Sequence, residues 1–163
     1  MLPAELQFVP LFSAQAVNDP INLGRAIERV MCSHWYVLGN EVEAFEKEFA
    51  DYCGVKFCVG GANGTDALEL ALRALELGAN DQVALVANAG FYGSVAVRAV
   101  GAVPVYVDIE PERLTLDPVA LERLLQSTRI SAVIVTHLYG QVASIKEIVD
   151  FDLPPEIRLP RVT

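Results

Sequence analysis

The stretch GGANGTDALELAL, residues 60–72, places glycines, an asparagine and a threonine directly before an apolar helical run. The first turn of a helix leaves backbone N–H groups unpaired and carries partial positive charge. Gly61, Gly64 and Thr65 therefore predict a cup for a phosphate group. The simpler interpretation is that Asn63 only caps the helix. No lysine follows the glycine as in a P-loop, and the spacing is not that of a dinucleotide-binding fingerprint.

Strand-like and helix-like segments alternate around this turn. DQVALVAN, residues 81–88, is a continuous apolar run, which is typical of a strand in a parallel sheet covered on both faces. Alternation with short connections predicts an α/β fold class, a three-layer αβα arrangement with a mainly parallel sheet. Before the glycine turn, the sequence predicts a helix over 20–33 capped by Asp19, a helix capped by Asn40 and ended by Gly54, and a strand at FCVGG (57–61). After the turn, it predicts a helix over about 63–77 that is buried on most sides, the strand at 81–88, a helix over 91–100 and a strand at VPVYVD (103–108). The last predicted elements are a helix capped by Asp117, a strand at ISAVIVTHLYG (130–140) and a helix over 143–150.

Composition excludes several classes of protein. The chain has 163 residues, 53% of them hydrophobic, which fits one ordinary domain with a sizeable core. Its formal net charge is −9 and its lysines and arginines form no cluster, so we expect no nucleic-acid partner. No apolar run is long enough to span a membrane, and the sequence starts without the pattern of a signal peptide. Three cysteines without C-x-x-C spacing predict neither a disulfide framework nor a zinc site, which favours the cytoplasm.

Two further segments, Asn88–Tyr92 and His137–Gln141, are predicted at the carboxyl ends of strands, where open α/β sheets bind ligands. His137 is a candidate base or ligand, but it lacks partners for a metal site, so a hydrogen-bonded structural role is favoured. Phe91 and Tyr92 are candidates to stack on a flat ring, although aromatic residues are more often core or interface residues. With the glycine turn, these segments predict one ligand site at one rim of the sheet and no metal centre.

Several segments in order resemble one family, the DegT/DnrJ/StrS aminotransferases, which use pyridoxal phosphate (PLP) and mostly act on nucleotide-linked keto-sugars. The resemblance extends over roughly Asn18 to Ile148, and its specificity lies in the order and spacing of the segments. They are WYVLGNEVEAFEKEFADYCGV (35–55), ANGTDALELALRALELGANDQV (62–83), VGAVPVYVDIEPERLTLDP (100–118) and VTHLYGQ (135–141).

The resemblance implies the N-terminal portion of the large domain of fold-type I PLP-dependent transferases, usually homodimers with active sites at the subunit boundary. It implies that Gly64 and Thr65 bind the PLP phosphate and that an aromatic residue stacks on the pyridine ring. NAGFYGS, residues 88–94, departs from the family's commoner Thr-Phe pattern, so Phe91 and Tyr92 both remain candidates, with Tyr92 preferred. The implied reaction of the intact enzyme transfers an amino group, commonly from glutamate, to a nucleotide-linked keto-sugar.

A PLP transaminase also needs a lysine for the Schiff base and an acid for the pyridinium nitrogen. Lys47, Lys56 and Lys146 match no catalytic pattern, so no catalytic residue is assigned. We expect residues 1–150 to be a partial large domain and residues 151–163 a divergent proline-rich tail. The chain is then either a truncated copy or a stand-alone half that meets its missing parts on another chain, with weak or no PLP binding and no transamination by itself. Other hypotheses are a non-catalytic module for a phosphorylated metabolite and a structural partner of a full-length aminotransferase.

Overall fold

The computed structural model describes residues 12–151 of the chain, which fall into two compact units that meet in sequence at Gly60 and Gly61. Apart from Phe151, the predicted proline-rich tail lies outside the described residues. The first unit contains α1 (Ala14–Asn18), α2 (Leu23–Ser33) and α3 (Asn40–Cys53). The second contains α4 (Gly64–Ala74), β1 (Gln82–Val86), α5 (Tyr92–Ala99), β2 (Val103–Val107), α6 (Pro118–Ser127), β3 (Ala132–Val133) and α7 (Ile145–Val149).

The helix starts in the first unit differ from the predicted ones. Asn22 caps α2 by accepting a hydrogen bond from a backbone N–H of the first turn, whereas Asp19 ends α1, so the predicted Asp19 cap is wrong. Asn40 is the first residue of α3 and Gly39 is its cap, because the extended backbone already ends at Gly39. The predicted end of α3 is confirmed, since Gly54 adopts the left-handed conformation with φ of 67°.

An ion pair links α2 to α3 within the first unit. Arg29 Nε lies 2.7 Å from Glu41 Oε1, and Arg29 Nη2 lies 2.8 Å from Glu41 Oε2. These hydrogen bonds lower the pKa of the Glu41 carboxyl, because the charged carboxylate accepts them and the protonated acid does not.

We expect Arg29→Gln to raise the pKa of Glu41 towards its ordinary value, measured by carboxyl-carbon NMR titration. Because the pKa of Glu41 is lowered in the folded protein, the ion pair stabilises the folded protein at pH values above the unfolded-state pKa. This stabilisation is lost as the pH falls through the folded-state pKa. Both side chains are exposed, so added salt is expected to reduce the difference between the two proteins. If the Glu41 carboxyl titrates with the same midpoint pH in the unmodified chain and in Arg29→Gln, the ion pair between Arg29 and Glu41 is contradicted.

The second unit is built on a parallel sheet of three strands in the order β2-β1-β3. β1 pairs along its whole length with β2, and Val83 and Ala84 pair with Ala132 and Val133 of β3. Four of the five residues of β1 are buried, as predicted for a strand covered on both faces. The predicted helix over 91–100 and the strand at 103–108 are confirmed as α5 and β2.

Helices cover both faces of this sheet. Because successive side chains of a strand point to opposite faces, Ala84 and Val86 join one core cluster and Val83 joins the other. The first cluster contains residues from α6 and α7, and the second contains residues from α4 and α5. The α/β prediction, a parallel sheet between helical layers, is therefore confirmed, as is Asp117 as the cap of α6, with Oδ1 accepting from the Val119 N–H at 2.8 Å.

The prediction that the helix after the glycine turn is buried on most sides is wrong. In α4 only Leu72 is buried, and Leu70 is 56% exposed. One face of the helix rests on the sheet and on α5, and no described segment of the second unit buries its opposite face. Glu69 and Arg73, which lie four residues apart on this helix, form an ion pair, with Arg73 Nη2 2.7 Å from Glu69 Oε1.

Two predicted strands are reduced or missing. FCVGG (57–61) has no strand conformation, and β3 contains only two of the eleven residues predicted at 130–140. A strand needs a neighbour for its backbone N–H and C=O groups. Within residues 12–151, no segment pairs with FCVGG, and β3 is paired only along its β1 edge.

Candidate functional site

The three parallel strands end at the same rim of the sheet, and a cavity of about 560 Å³ lies in the second unit there. The start of α4, the end of β1, the start of α5 and the segment after β3 form its walls. Its lining residues are Asn63, Gly64, Thr65, Leu68, Leu85, Val86, Ala89, Gly90, Tyr92, Gly93, Ile134 and Thr136.

The first turn of α4 supplies the polar end of this cavity. Asn63 Oδ1 accepts a hydrogen bond from the Asp66 N–H at 3.0 Å, so the predicted cap by Asn63 is confirmed. In the part of the chain that the structure describes, no acceptor pairs with the N–H groups of Gly64 and Thr65 or with the Thr65 hydroxyl. Two backbone donors and one hydroxyl therefore meet at the positive end of the helix dipole, the chemistry that binds a phosphate ester.

The space in front of Gly64 is open. A Cβ at Gly64 would meet no atom within 4 Å, so the fold itself does not require a glycine there. A glycine with room for a side chain suits the close approach of a ligand to the backbone. Gly61 also has room, with its nearest neighbour at 4.0 Å, but it does not line the cavity. Of the three residues predicted to form a phosphate cup, Gly64 and Thr65 line the cavity and Gly61 does not.

The structure separates the two candidate aromatic residues. Tyr92, the first residue of α5, lines the cavity that Gly64 and Thr65 also line. Phe91 is the cap of that helix, is 81% exposed and is not among the cavity-lining residues. Of the two, Tyr92 is therefore placed to contact a ring bound in the cavity.

His137 has the structural role that the sequence favoured. Its Nδ1 accepts a hydrogen bond from the Ala143 N–H at 3.1 Å, which fixes the loop before α7. The predicted rim segment His137–Gln141 does not line the cavity; Thr136, one residue earlier, does. Sequence reasoning missed Thr136 because the apolar run around it does not reveal where the strand ends.

Asn88 acts on the neighbouring loop. Its Nδ2 donates to the Leu114 carbonyl at 2.9 Å, and its Oδ1 is buried without a partner among the described residues. The amide thereby ties the end of β1 to the loop after β2. Asn88 therefore holds the end of β1 to that loop and does not line the cavity.

The cavity contains neither an amine nor a carboxylate. None of the chain's three lysines, Lys47, Lys56 and Lys146, is among its lining residues. Residues 12–151 also contain no group of three or more His, Cys, Asp or Glu side chains that could hold a metal ion, and none of their helices is long and apolar enough to cross a membrane. The donor set suits an anionic ester, and the apolar walls suit a flat ring.

A family comparison agrees with this geometry. Residues 22–153 match the profile of the DegT/DnrJ/EryC1/StrS aminotransferase family. The chain is 43% identical over 142 residues to the dTDP-3-amino-3,6-dideoxy-alpha-D-galactopyranose transaminase of Aneurinibacillus thermoaerophilus. The aligned region covers 86% of this chain and 39% of that transaminase. It is 40% identical over 148 residues to the UDP-2-acetamido-2-deoxy-3-oxo-D-glucuronate aminotransferase of Pseudomonas aeruginosa. Here the aligned region covers 90% of this chain and 39% of that aminotransferase. The chain thus spans about two fifths of the length of these relatives.

Solved structures show the same similarity. Streptomyces venezuelae DesV in complex with a ketimine intermediate matches with a TM-score of 0.80 and 38% identity, over 86% of this chain and 38% of that chain. NtdA from Bacillus subtilis with bound cofactor PMP (pyridoxamine phosphate) matches with a TM-score of 0.75 and 29% identity, over 90% of this chain and 34% of that chain.

Proposed function

Because the chain belongs to the DegT/DnrJ/EryC1/StrS aminotransferase family, we propose that it forms the N-terminal, cofactor-phosphate-binding part of a nucleotide-sugar aminotransferase. The observation that carries this proposal is the convergence of three residues on one cavity. Gly64 and Thr65 present unpaired donors there, and Tyr92 presents a ring.

In this proposal each residue has a defined task. The N–H groups of Gly64 and Thr65 and the Thr65 hydroxyl bind the phosphate of PLP, and the α4 dipole favours its negative charge. Tyr92 stacks on the pyridine ring and restricts its position. When bound, PLP supplies the electron sink that amino-group transfer requires.

We propose that this chain by itself does not transaminate. The family reaction needs a lysine that forms an imine with the cofactor and an acid that pairs with the ring nitrogen, and neither type of residue lines the cavity. The proposed substrate of the complete enzyme is a nucleotide-linked keto-sugar.

We also propose that the complete enzyme is a homodimer, or that this chain pairs with a full-length homologue. Support comes from α3, whose rings of Phe45 and Phe49 stack with centroids 5.5 Å apart while the two residues remain 55% and 43% exposed. Aromatic residues are enriched at protein interfaces. The free thiols of Cys32, Cys53 and Cys58 fit the cytoplasm as the proposed compartment.

A second candidate function is a non-catalytic module that binds a phosphorylated metabolite. It is favoured by the combination of free phosphate donors with a cavity that lacks an amine. In this case PLP has no special status, and other phosphate esters with a flat ring bind as well as PLP does.

Titration of the chain with PLP and with PMP tests the proposal. We expect the amide NMR signals of Gly64 and Thr65 to shift in a saturable manner with both ligands, because both carry the same phosphate. Because no lysine lines the cavity, we expect any lysine adduct trapped by borohydride from the PLP sample to be substoichiometric and spread over Lys47, Lys56 and Lys146. Absence of shifts would overturn the proposed site, and a stoichiometric reduced adduct on a single lysine would count against the proposed lack of transamination. Equal binding of unrelated aryl phosphates would favour the second candidate.

A further inference from the structure

The Tyr92 ring packs against the backbone of Gly90, two residues earlier in the chain. A Cβ at Gly90 would lie 3.0 Å from Tyr92 Cε2 and 3.2 Å from Tyr92 Cδ2. Carbon atoms in contact are normally separated by about 3.5–4.0 Å. The ring therefore occupies the space that a side chain at position 90 would need.

Gly90 has a second reason to be a glycine. Its φ is 70°, in the left-handed region that residues with a Cβ rarely adopt. The backbone conformation turns the chain from the end of β1 into α5, and the missing Cβ leaves room for the ring. Both requirements meet at one position, two residues before Tyr92, which lines the cavity.

Other restraints on the ring are weak. Tyr92 is 67% exposed, and in the part of the chain described by the structure its hydroxyl makes no hydrogen bond. An exposed side chain without a hydrogen bond normally populates several rotamers. Tyr92 nevertheless lines the cavity beside Gly64 and Thr65.

We propose that Gly90 is a positioning residue, which sets the orientation of the Tyr92 ring over the cavity. Gly90 acts through Tyr92, because its bare backbone leaves room for the Cδ2–Cε2 edge of the ring, and Tyr92 lines the cavity. The identity of the ligand rests on the proposed function, whereas the orientation of the ring does not.

The orientation is measured first without any ligand. In the unmodified chain we expect nuclear Overhauser contacts between the Gly90 Hα protons and the Tyr92 ring protons, and an upfield shift of one Hα by the ring. Their absence would overturn the proposal, and this measurement needs no variant. In Gly90→Ala we expect the Tyr92 ring signals to move.

Gly101→Ala is the matched control. Gly101 also has a left-handed φ, 84°, but a Cβ there would lie 3.6 Å from its nearest neighbour, the Ala79 backbone nitrogen, and far from the ring in sequence. Both variants carry the strain of a side chain at positive φ, and only Gly90→Ala disturbs the ring. Equal changes of the Tyr92 signals in the two variants would overturn the proposal.

Binding gives the functional test, with PMP and inorganic phosphate as the two probes. We expect Gly90→Ala to weaken PMP binding about 3- to 10-fold, the range of an aromatic contact, and to leave phosphate binding unchanged. In a Tyr92→Ala background, Gly90→Ala should cause no further loss, because it acts through the ring. Equal weakening of both probes, or an undiminished effect without Tyr92, would overturn the proposal. If PMP does not bind the unmodified chain, the proposed function fails, and the ligand-free contacts still decide the role of Gly90.

Discussion

Leu121→Ala is expected to remove about 2–5 kcal/mol from the free energy of unfolding of the second unit. Leu121 on α6 is completely buried and belongs to the core cluster that contains Leu116, Val133 and Ile148. Truncation removes apolar area from that cluster and leaves a cavity that the surrounding side chains fill only in part. Since a whole domain is typically stable by only about 5–15 kcal/mol, this one change consumes a large share of the total.

Leu70→Ala on α4 is the matched control for this prediction. It makes the same chemical change in a helix, but Leu70 is 56% exposed, so the loss is expected to stay within about 0.5–1 kcal/mol. Urea unfolding followed by circular dichroism measures both. Similar losses in the two variants would show that the α6 face of the sheet is not a well-packed core.

Local signals in the sequence sufficed for most of the second unit. The buried strand β1 follows from a continuous apolar run, and α6 follows from Asp117, whose carboxylate accepts the Val119 N–H. Such features depend on neighbours a few residues away, so the sequence contains the whole cause. The start of α3 was misplaced by one residue, because Gly39 and Asn40 are both chemically suitable caps and only the backbone conformation distinguishes them.

Features that depend on distant neighbours could not be predicted in the same way. FCVGG has the composition of a strand, but strand formation requires a partner, and no described segment provides one. The exposure of Leu70 has the same origin, because the composition of α4 suits burial on several sides while only one face is covered. Apolar composition indicates that a segment can be buried, and it does not say by what.

The candidate site shows both situations. The location of Gly64 and Thr65 at a helix start was predictable, because the Asn63 cap is a local feature with known chemistry. Which of Phe91 and Tyr92 lines the cavity was not predictable, since neighbouring residues at a helix start point in directions that differ by about 100°. That choice depends on where α5 begins, and the structure places its first residue at Tyr92. Thr136 was missed for the same reason, because the end of its strand could not be located from an apolar run.

Gly64→Asp is expected to abolish binding of PLP and PMP while leaving the fold intact or slightly more stable. The new side chain has room, since a Cβ at Gly64 meets nothing within 4 Å. A carboxylate in the first turn of a helix stabilises it by about 0.3–1 kcal/mol through the helix dipole. The same carboxylate lies where the phosphate would bind, and repulsion between like charges about 4 Å apart near a protein surface is about 4 kcal/mol, a loss of two orders of magnitude or more in affinity.

The prediction is specific because Gly64→Asp should lose affinity for PLP and PMP without losing free energy of unfolding. A variant that merely damages the fold would lose both affinity and stability. Gly61→Asp serves as the control: it adds the same charge three residues earlier in the chain, also with room for a side chain, at a position that does not line the cavity. We expect Gly61→Asp to weaken binding only slightly and in a manner that added salt reverses, since the charge is exposed and more distant. Affinities from NMR titration and unfolding curves in urea, measured on both variants, provide the comparison. Retained PLP binding in Gly64→Asp would place the phosphate elsewhere and remove the chemical basis for assigning the cofactor to the start of α4.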